Sequence, residues 1–384
     1  MACIIFARPQ SGCVERVATV KFCILKTAMT KLLITVCFCI GLPVGVRAWN
    51  AEGHMVVAQI AYNHLDAAVK NRCDALIATP VNNASNYNNT FVTAACWADD
   101  IKSFTTAYSI WHYIDLPFSL DGTSTGGVSP ASFDVVQAIR LDVSTLQSTN
   151  ATATDQATNL RFLLHFVGDI KQPLHCSTAV RASQPGGDSG GNGFSLTQPS
   201  WSNLHSLWDS GGGYLFDSLS RPLSAASQTT LSNKVAVIEA DYPYLRNTGL
   251  IPDPMTWANA GLALAQTNAY VGITRSTTPT QPYLDTTMAT TEQLLAQGGH
   301  RLADLLNTIF AANPFNLTSV TKTNGAFRFA WSANAGKIYR VQWKQQLDAA
   351  AWTDLTTLTA TGTSASFNET ATQTQRFYRV IQLN

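Results

Sequence analysis

One sixteen-residue stretch, LRFLLHFVGDIKQPLH over 160–175, brings together side chains of the types that bind metals. His165 and Asp169 are four residues apart, so on a helix both side chains lie on one face and can bind the same ion. Pro173 ends that helix, and His175 follows just beyond it. The remaining residues are apolar nearly all round, which predicts a buried helix. Since buried polar groups need partners, these side chains require hydrogen bonds or a metal.

A lone buried histidine is more often a core residue that bonds a backbone carbonyl. The other motifs of the chain argue against that simpler interpretation here. His205 and Asp209, in NLHSLWD, repeat the four-residue spacing, and Asp99 in WADD and His112 in WHYID add two further ligand types. No CxxC pattern is present, and a set of imidazoles and carboxylates is typical of zinc sites that leave room for water.

The elements that must position these side chains are predicted to be helices. Apolar residues at helical spacing indicate helices over 52–66, 67–78, 132–147, 155–170, 203–209, 225–241, 253–270 and 289–310. A long glycine-rich loop is expected at 181–199, and Gly298 and Gly299 are expected to kink the last helix.

The pattern changes after this helical region. Segments 325–331, 337–343 and 375–383 alternate in the way that strands do, with turn residues between them. We therefore predict an all-α catalytic domain over 49–312, followed by a small all-β sandwich domain over 318–384.

The chain begins with a predicted signal peptide over 1–48. The apolar run after Lys31, LLITVCFCIGLPVG, is too short for a transmembrane helix, and small residues precede a cleavage point after Ala48. Cleavage there would make Trp49 the first residue, and Met29 offers an alternative start that shortens the signal. We expect an exported protein, secreted or periplasmic, with no membrane anchor after signal removal.

Loss of the leader changes the charge of the protein. The chain has 25 basic and 24 acidic residues, of which the leader holds six and one, so 19 basic and 23 acidic residues remain and the formal net charge is −4. Nucleic-acid-binding proteins usually carry a basic footprint, which is missing here. If the substrate is a phosphodiester, something other than lysine and arginine must therefore supply much of the positive charge.

Taken together, the motifs resemble the zinc-dependent single-strand nucleases of the P one / S one type, which include fungal enzymes, plant bifunctional nucleases and bacterial relatives. The matching pieces are WNAEGH, WAD, WHYID, LRFLLHFVGDIKQPLH, GGNGF and NLHSLWD, in the family's order across roughly 49–310. Each piece is weak by itself, but their order is specific. The resemblance implies the all-α fold that this family shares with zinc-dependent phospholipase C.

The resemblance also implies three zinc ions and their ligands. The first ion would be bound by Asp99, His112, His165 and Asp169, and the second by His175, His205 and Asp209. The third would be bound by the amino nitrogen and carbonyl oxygen of Trp49, by His54 and by Asp169. An uncleaved Trp49 would offer only an amide nitrogen, which is a poor ligand, so signal removal would complete the site.

Further residues gain roles from the same resemblance. The implied catalytic residues are Asp99, Lys102, Asp115 and Asp169, and the implied base-binding residues are Tyr113 and Asn192. Lys102 would stabilise the transition state and Asp115 would orient it. Tyr113 stands where family members often have phenylalanine. An aromatic ring for base stacking is kept, but the resemblance does not define which base is preferred. Simpler alternatives are a solvated lysine at 102, a partner of His112 at 115 and a turn residue at 192.

The implied function is a secreted endonuclease that hydrolyses single-stranded DNA and RNA to 5′-mononucleotides, with 3′-nucleotidase activity as an added capacity. One alternative is a zinc-dependent phospholipase C, and another is a non-catalytic zinc-loaded protein that attaches to glycans or a surface through its β domain. Phospholipases C have a longer spacing from the first tryptophan to the first histidine and usually a final glutamate. The spacing Trp49-x4-His54 and the aspartate at 209 favour the nuclease. No motif indicates a partner of the β domain.

Overall fold

The computed structural model describes residues 49–148, 150–247, 251–310, 317–323, 326–346, 351–370 and 376–383. The predicted signal peptide lies outside the described residues, as do 325 and 375, where two strands are predicted to begin. The described chain divides into two compact units, a largely helical one and a second one over Leu317–Leu383 that is built of strands. The predicted order of an α region followed by a β region is confirmed.

Helices make up most of the first unit. Among the described residues they are α1 (Ala51–Asn63), α2 (Ala67–Ala78), α3 (Phe91–Ala94), α4 (Trp97–Asp100), α5 (Val135–Gln147), α6 (Ala153–Asp169), α7 (Leu204–Asp209), α8 (Ala225–Asp241), α9 (Pro254–Leu264) and α10 (Gln281–Ile309). Short 3₁₀ turns lie at Asn86–Asn88, Ile101–Ser103, Ser109–His112, Pro173–Cys176 and Gly211–Gly213, and a π turn over Ala265–Ala269 follows α9. Within the described chain, no helix is long and apolar enough to cross a membrane.

Helix α6 carries the stretch on which the sequence prediction centres. Its residues from Leu160 to Asp169 are all buried, as the apolar pattern predicts. The helix begins at a capping box, in which the side chain of Thr152 accepts from the backbone N–H of Asp155 and Asp155 bonds back. Because the helix continues to Asp169, His165 and Asp169 lie on one face, one turn apart.

The first unit also contains short strands that the all-α prediction lacks. Strand β1 (Pro117–Ser119) pairs in parallel with β2 (Thr178–Val180), and β3 (Ser195–Gln198) pairs antiparallel with β4 (Trp201–Asn203). The predicted glycine-rich loop therefore ends in a strand. Segments of three or four residues are too short to show an alternating pattern, which explains why the sequence does not indicate them.

A kink is predicted at the two glycines of α10, but the structure shows a helix that continues through them without interruption. α10 continues through Gly298 and Gly299, and α1 packs against it at this level. A Cβ on Gly299 would lie 2.4 Å from Cγ2 of Ile60 and 3.0 Å from the carbonyl oxygen of Val57. Glycine is therefore needed for the close approach of the two helices.

Replacing Gly299 with alanine is expected to lower the free energy of unfolding by about 1–3 kcal/mol, because the added methyl group must displace Ile60 in a packed core. Gly298→Ala is the matched control, since its Cβ would lie 3.3 Å from Cγ2 of Val57. The control should change stability by less than about 1 kcal/mol. Urea unfolding measures both variants, and equal stabilities would contradict the close-approach explanation.

The second unit consists of two three-stranded antiparallel sheets. Its strands are β5 (Leu317–Thr323), β6 (Ala326–Ser332), β7 (Ile338–Lys344), β8 (Thr353–Thr359), β9 (Ser364–Thr370) and β10 (Phe377–Gln382). One sheet has the order β5-β6-β9 and the other β10-β7-β8. Phe329 and Trp331 of β6 and Tyr339 and Val341 of β7 belong to one apolar cluster, so the two sheets enclose a common core.

The three cysteines that follow the predicted leader would allow at most one disulfide between them. Cys73, Cys96 and Cys176 are all buried and free in the structure. Burial raises the pKa of the Cys73 and Cys96 thiols to about 12, so both remain protonated at neutral pH. The thiols of Cys96 and Cys176 instead donate to the backbone carbonyls of Ala51 and Ile170.

Candidate metal centre

Six short segments bring the predicted side-chain ligands together. They are α1, α4, the turn Ser109–His112, α6, the turn Pro173–Cys176 and α7. The converging atoms form three groups, each within 4.8 Å, and the groups are His54, Asp99 and His165, then His112, His165 and Asp169, then His175, His205 and Asp209. The sequence-based prediction thus selected side chains that the fold places in contact.

The carboxylate of Asp169 lies at the centre of two of these groups. Its Oδ1 is 3.4 Å from Nε2 of His54, and its Oδ2 is 3.0 Å from Nδ1 of His112 and 3.2 Å from Nε2 of His165. Oδ1 of Asp99 lies 3.8 Å from the His112 nitrogen and 3.7 Å from the His165 nitrogen. Both oxygens of Asp169 therefore face imidazole nitrogens.

Backbone carbonyls fix the ring orientation of three histidines. Nδ1 of His165 lies 2.6 Å from the carbonyl oxygen of Ala95, Nδ1 of His175 lies 2.8 Å from that of His112, and Nδ1 of His205 lies 2.7 Å from that of Gly190. Because a carbonyl oxygen can only accept, each Nδ1 carries the proton and each neutral ring keeps its Nε2 lone pair. That is the arrangement in which proteins present histidine to a metal.

Several buried atoms of the centre have no hydrogen-bond partner among the described residues. They are both ring nitrogens of His54, Nε2 of His112 and Oδ1 of Asp169. A buried polar atom left unsatisfied costs roughly 1–3 kcal/mol. Cations that bind these nitrogens and oxygens would remove that cost, so the donor set fits bound metal.

The protonation states also suit metal binding. Burial lowers the pKa of His54 to about 3 and those of His112 and His165 to about 4. Burial acts to raise the pKa of Asp99, but the facing His165 and Lys102 outweigh it and hold that pKa well below its usual range. For these three histidines and Asp99, these shifts correspond to neutral imidazoles and an ionised carboxylate at neutral pH, whereas burial raises the pKa of Asp169 and Asp209.

Trp49, the predicted first residue of the processed chain, is fully buried beside these groups. Its indole Nε1 donates to the carbonyl oxygen of Gly168 at 2.9 Å, one residue before Asp169. The backbone N–H of Asn50 donates to the carbonyl oxygen of Asp209 at 3.0 Å. Trp49 and Asn50 are thus bonded to α6 and α7, two of the three helices that carry predicted aspartate ligands.

The two predicted catalytic residues outside the ligand set have different surroundings. Nζ of Lys102 is 2.7 Å from Oδ1 of Asp99, so this lysine contacts a predicted ligand. Asp115 is partly buried, and burial, followed by the charge of Asp188, raises the pKa of its carboxyl to about 6.

The two predicted base-binding residues occupy different surroundings. Tyr113 is half-buried, and burial, followed by the charge of Asp115, raises the pKa of its phenol. Asn192 forms a turn, because its backbone N–H and its side-chain amide both donate to the carbonyl oxygen of Ser189, at 3.3 and 2.8 Å. The carbonyl oxygen of the Asn192 side chain remains available as an acceptor by its chemistry.

Sequence reasoning missed Gln172, which supports Asp209. Its Nε2 donates to Oδ1 of Asp209 at 2.7 Å, and its Oε1 accepts from the backbone N–H of Leu174. The side chain is fully buried and caps the turn that carries His175. The glutamine immediately before Pro173 was the available signal, since an amide at that position can cap a turn.

Sequence reasoning also missed Asp188, which organises the glycine-rich loop. Its buried carboxylate accepts from the backbone N–H groups of Ala179 and Gly191, at 2.9 and 3.0 Å, and from the hydroxyl of Tyr270 at 2.9 Å. The enclosed loop carries Gly190, the carbonyl of which accepts from His205. An acid between glycines resembles a solvated turn residue, so the sequence alone does not reveal this function.

Asp188→Asn is expected to weaken zinc binding about 10- to 100-fold, because an amide cannot accept from all three donors and the loop behind His205 would shift. Competition with a zinc chelator measures the affinity. Asp285→Asn, at an exposed position of α10, removes the same charge and serves as the control. Equal affinities in the two variants would rule out a positioning role for Asp188.

Comparison with known proteins gives the family. Residues 49–311 match the family described as S1/P1 Nuclease. Endonuclease 1 of Arabidopsis thaliana is 28% identical over 298 residues, covering 69% of this chain and 88% of that protein. Nuclease P1 of Penicillium citrinum is 28% identical over 292 residues, covering 68% and 97%, and Nuclease S1 of Aspergillus oryzae is 28% identical over 290 residues, covering 68% and 91%. The resemblance drawn from the motifs is confirmed, and the chain belongs to the S1/P1 nuclease family.

Proposed function

We propose that this protein is a zinc-dependent endonuclease that hydrolyses single-stranded DNA and RNA to 5′-mononucleotides. The observation that carries the proposal is the set of three adjoining groups of buried histidines and aspartates in a chain of this family. Their unsatisfied atoms and neutral rings favour bound metal, and imidazole with carboxylate is a donor set that zinc prefers.

We assign three zinc ions to these residues. The first is bound by Asp99, His112, His165 and Asp169, the second by His175, His205 and Asp209, and the third by the Trp49 terminus, His54 and Asp169. Zinc in these positions would lower the pKa of a water molecule and offset the charge of a phosphodiester. The third position requires removal of residues 1–48, so the proposal includes export of the protein to the periplasm or the medium.

Lys102 and Asp115 would act on the phosphate at the edge of the centre. Nζ of Lys102 lies 2.7 Å from Asp99, and an ammonium group at this position would donate to a non-bridging phosphate oxygen. Asp115 would accept a hydrogen bond from the reacting group and orient it. Burial makes this carboxyl a weaker acid, which suits a group that exchanges a proton near neutral pH.

Tyr113 and Asn192 would hold the base next to the scissile bond. The half-buried ring of Tyr113 offers a stacking surface, and stacking on an aromatic side chain tolerates any base. The side-chain amide of Asn192 donates an N–H to the carbonyl oxygen of Ser189, and the side-chain oxygen of Asn192 would accept from the base. Both contacts need a base that is free of pairing, which favours single strands over duplexes.

A side-by-side assay tests the proposal. Protein that begins at Trp49 is incubated with single-stranded DNA, RNA, a nucleoside 3′-monophosphate and phosphatidylcholine. We expect products with 5′-phosphates from both nucleic acids and inorganic phosphate from the 3′-monophosphate. Chelation of the zinc should abolish all of these activities. Hydrolysis of phosphatidylcholine alone would indicate a phospholipase C, and zinc-loaded protein that cleaves nothing would indicate a binding protein.

A further inference from the structure

The two units of the chain carry formal charges of opposite sign. Residues 49–316 contain 12 lysines and arginines against 20 aspartates and glutamates, a net charge of −8. Residues 317–384 contain seven basic residues against three acidic ones, a net charge of +4. The whole-chain value therefore conceals a small basic unit attached to an acidic one.

Basic side chains share the outer face of the sheet β10-β7-β8. Arg340, Gln342 and Lys344 alternate along β7 with residues that point into the core, and Arg379 of β10 is paired with Gln342. Because side chains two apart on a strand, and those directly opposite on its neighbour, lie on the same face, all four project outward. Together with Trp352, which precedes β8, they are called the basic face below.

Two cations of this face lie over the ring of Trp352. Nζ of Lys344 is 4.7 Å and the guanidinium carbon of Arg379 is 4.5 Å from the ring centroid. Contacts at this range are attractive and hold the indole in place. The residue is partly exposed, so it joins an aromatic surface to two positive charges.

The acids of the unit that the structure describes are already paired with arginines. Asp354 lies 3.5 Å from a guanidinium nitrogen of Arg340, and Glu369 lies 2.6 Å from one of Arg376. With seven basic residues against three acidic ones, these pairs leave a surplus of positive charge in the unit. A polyanion complements such a surface.

We propose that the β unit binds single-stranded nucleic acid through the basic face. Trp352 stacks on an unpaired base, which takes the place of a cation over its ring, while Lys344 and Arg379 contact the phosphates on either side of the base. Stacking combined with backbone charge is the general way in which proteins bind single strands without sequence preference. Duplex DNA would satisfy the charges but hides its base rings, and a neutral glycan would leave the charges unused. The identity of the ligand rests on the proposed function, whereas the binding step does not require hydrolysis.

The test uses the full zinc-loaded chain and a fluorescent phosphorothioate oligothymidylate of about 20 nucleotides, the sulfur-substituted linkages of which slow hydrolysis. Anisotropy at several salt concentrations compares Lys344→Ser/Arg379→Ser with Lys322→Ser/Lys337→Ser. The control removes the same charge at exposed positions on β5 and in the turn before β7. We expect the first pair to weaken binding about tenfold or more and to reduce the log–log salt slope by about 1.4, at roughly 0.7 for each phosphate contact.

Trp352→Ala provides a second variant, which should weaken binding about tenfold and leave the salt slope unchanged, since stacking releases no counterions. Cleavage of a dinucleotide, which is too short to reach a second site, should be unchanged in all variants. Equal weakening in the lysine control, or undiminished binding in the basic-face variants, would overturn the inference. So would basic-face variants that lose affinity only for heparin or anionic vesicles, measured in the same way, and keep their affinity for the oligothymidylate. A wild-type chain that cleaves no nucleic acid would instead refute the proposed function.

Discussion

Replacing Asp169 with asparagine is expected to reduce hydrolysis of single-stranded DNA at least about a thousandfold. The Asp169 carboxylate faces His54 through one oxygen, and His112 and His165 through the other, at 3.0 to 3.4 Å. An amide has no charge, and its nitrogen cannot bind a cation. The substitution therefore removes a ligand from two of the three proposed zinc positions at once.

The control for this substitution is Asp142→Asn, at another fully buried aspartate. Both oxygens of Asp142 lack a hydrogen-bond partner in the described part of the chain, and burial raises the pKa of its carboxyl well above the ordinary value. Asparagine has nearly the same shape, so this substitution removes a buried carboxyl that is not among the proposed ligands. We expect full activity and three zinc ions in this control. Full activity in Asp169→Asn, or equal losses in the two variants, would contradict the assigned role of Asp169.

A chain that retains Ala48 before Trp49 is expected to be at least about a hundredfold less active than one that begins at Trp49. A free amino terminus has a pKa near about 8 and readily becomes a neutral ligand, whereas a peptide nitrogen does not. The indole bond to Gly168 already holds Trp49 next to Asp169. The effect should therefore come from the nitrogen's chemistry and not from its position.

The kinetic comparison of the extended and exact-length chains is made in excess zinc, with zinc content measured alongside. Proteolytic removal of the added residue from the same preparation should restore both activity and the third ion. This restoration separates a local effect from misfolding. An extended chain with undiminished activity and zinc content would show that the amino nitrogen is not a ligand.

The sequence predicted that these histidines and aspartates cluster, because helical spacing converts directly into spatial proximity. His165 and Asp169, and likewise His205 and Asp209, are four residues apart on helices whose existence the apolar pattern indicates. Burial of α6 and the bounds of α8 follow from the same periodicity. Contacts between distant segments, such as that of His54 with Asp169, were accessible only through the family resemblance.

Other contacts between distant segments, which neither the sequence pattern nor the resemblance indicates, were not predicted. Gly299 suggests a kink when α10 is considered alone. The structure shows instead that glycine is needed there because the side chain of Ile60, on α1, lies too close for a Cβ. Asp188 accepts from backbone N–H groups and Gln172 donates to the carboxylate of the distant Asp209, and the spacing of side chains along the sequence indicates neither contact. Gln342 lies on the outer face of its strand, yet it is only 7% exposed, because Asp354 and Arg379 bond to it on the sheet surface.

The central proposal, a three-zinc nuclease centre completed by the Trp49 terminus, is tested most directly by one combined measurement. Zinc per chain is determined by mass spectrometry on protein that begins at Trp49, while release of 5′-mononucleotides from single-stranded DNA is followed on the same sample. We expect three zinc ions per chain, loss of activity as they are removed, and recovery when zinc is returned. Fully active protein with fewer than three ions, or three bound ions without nucleotide release, would contradict the proposal.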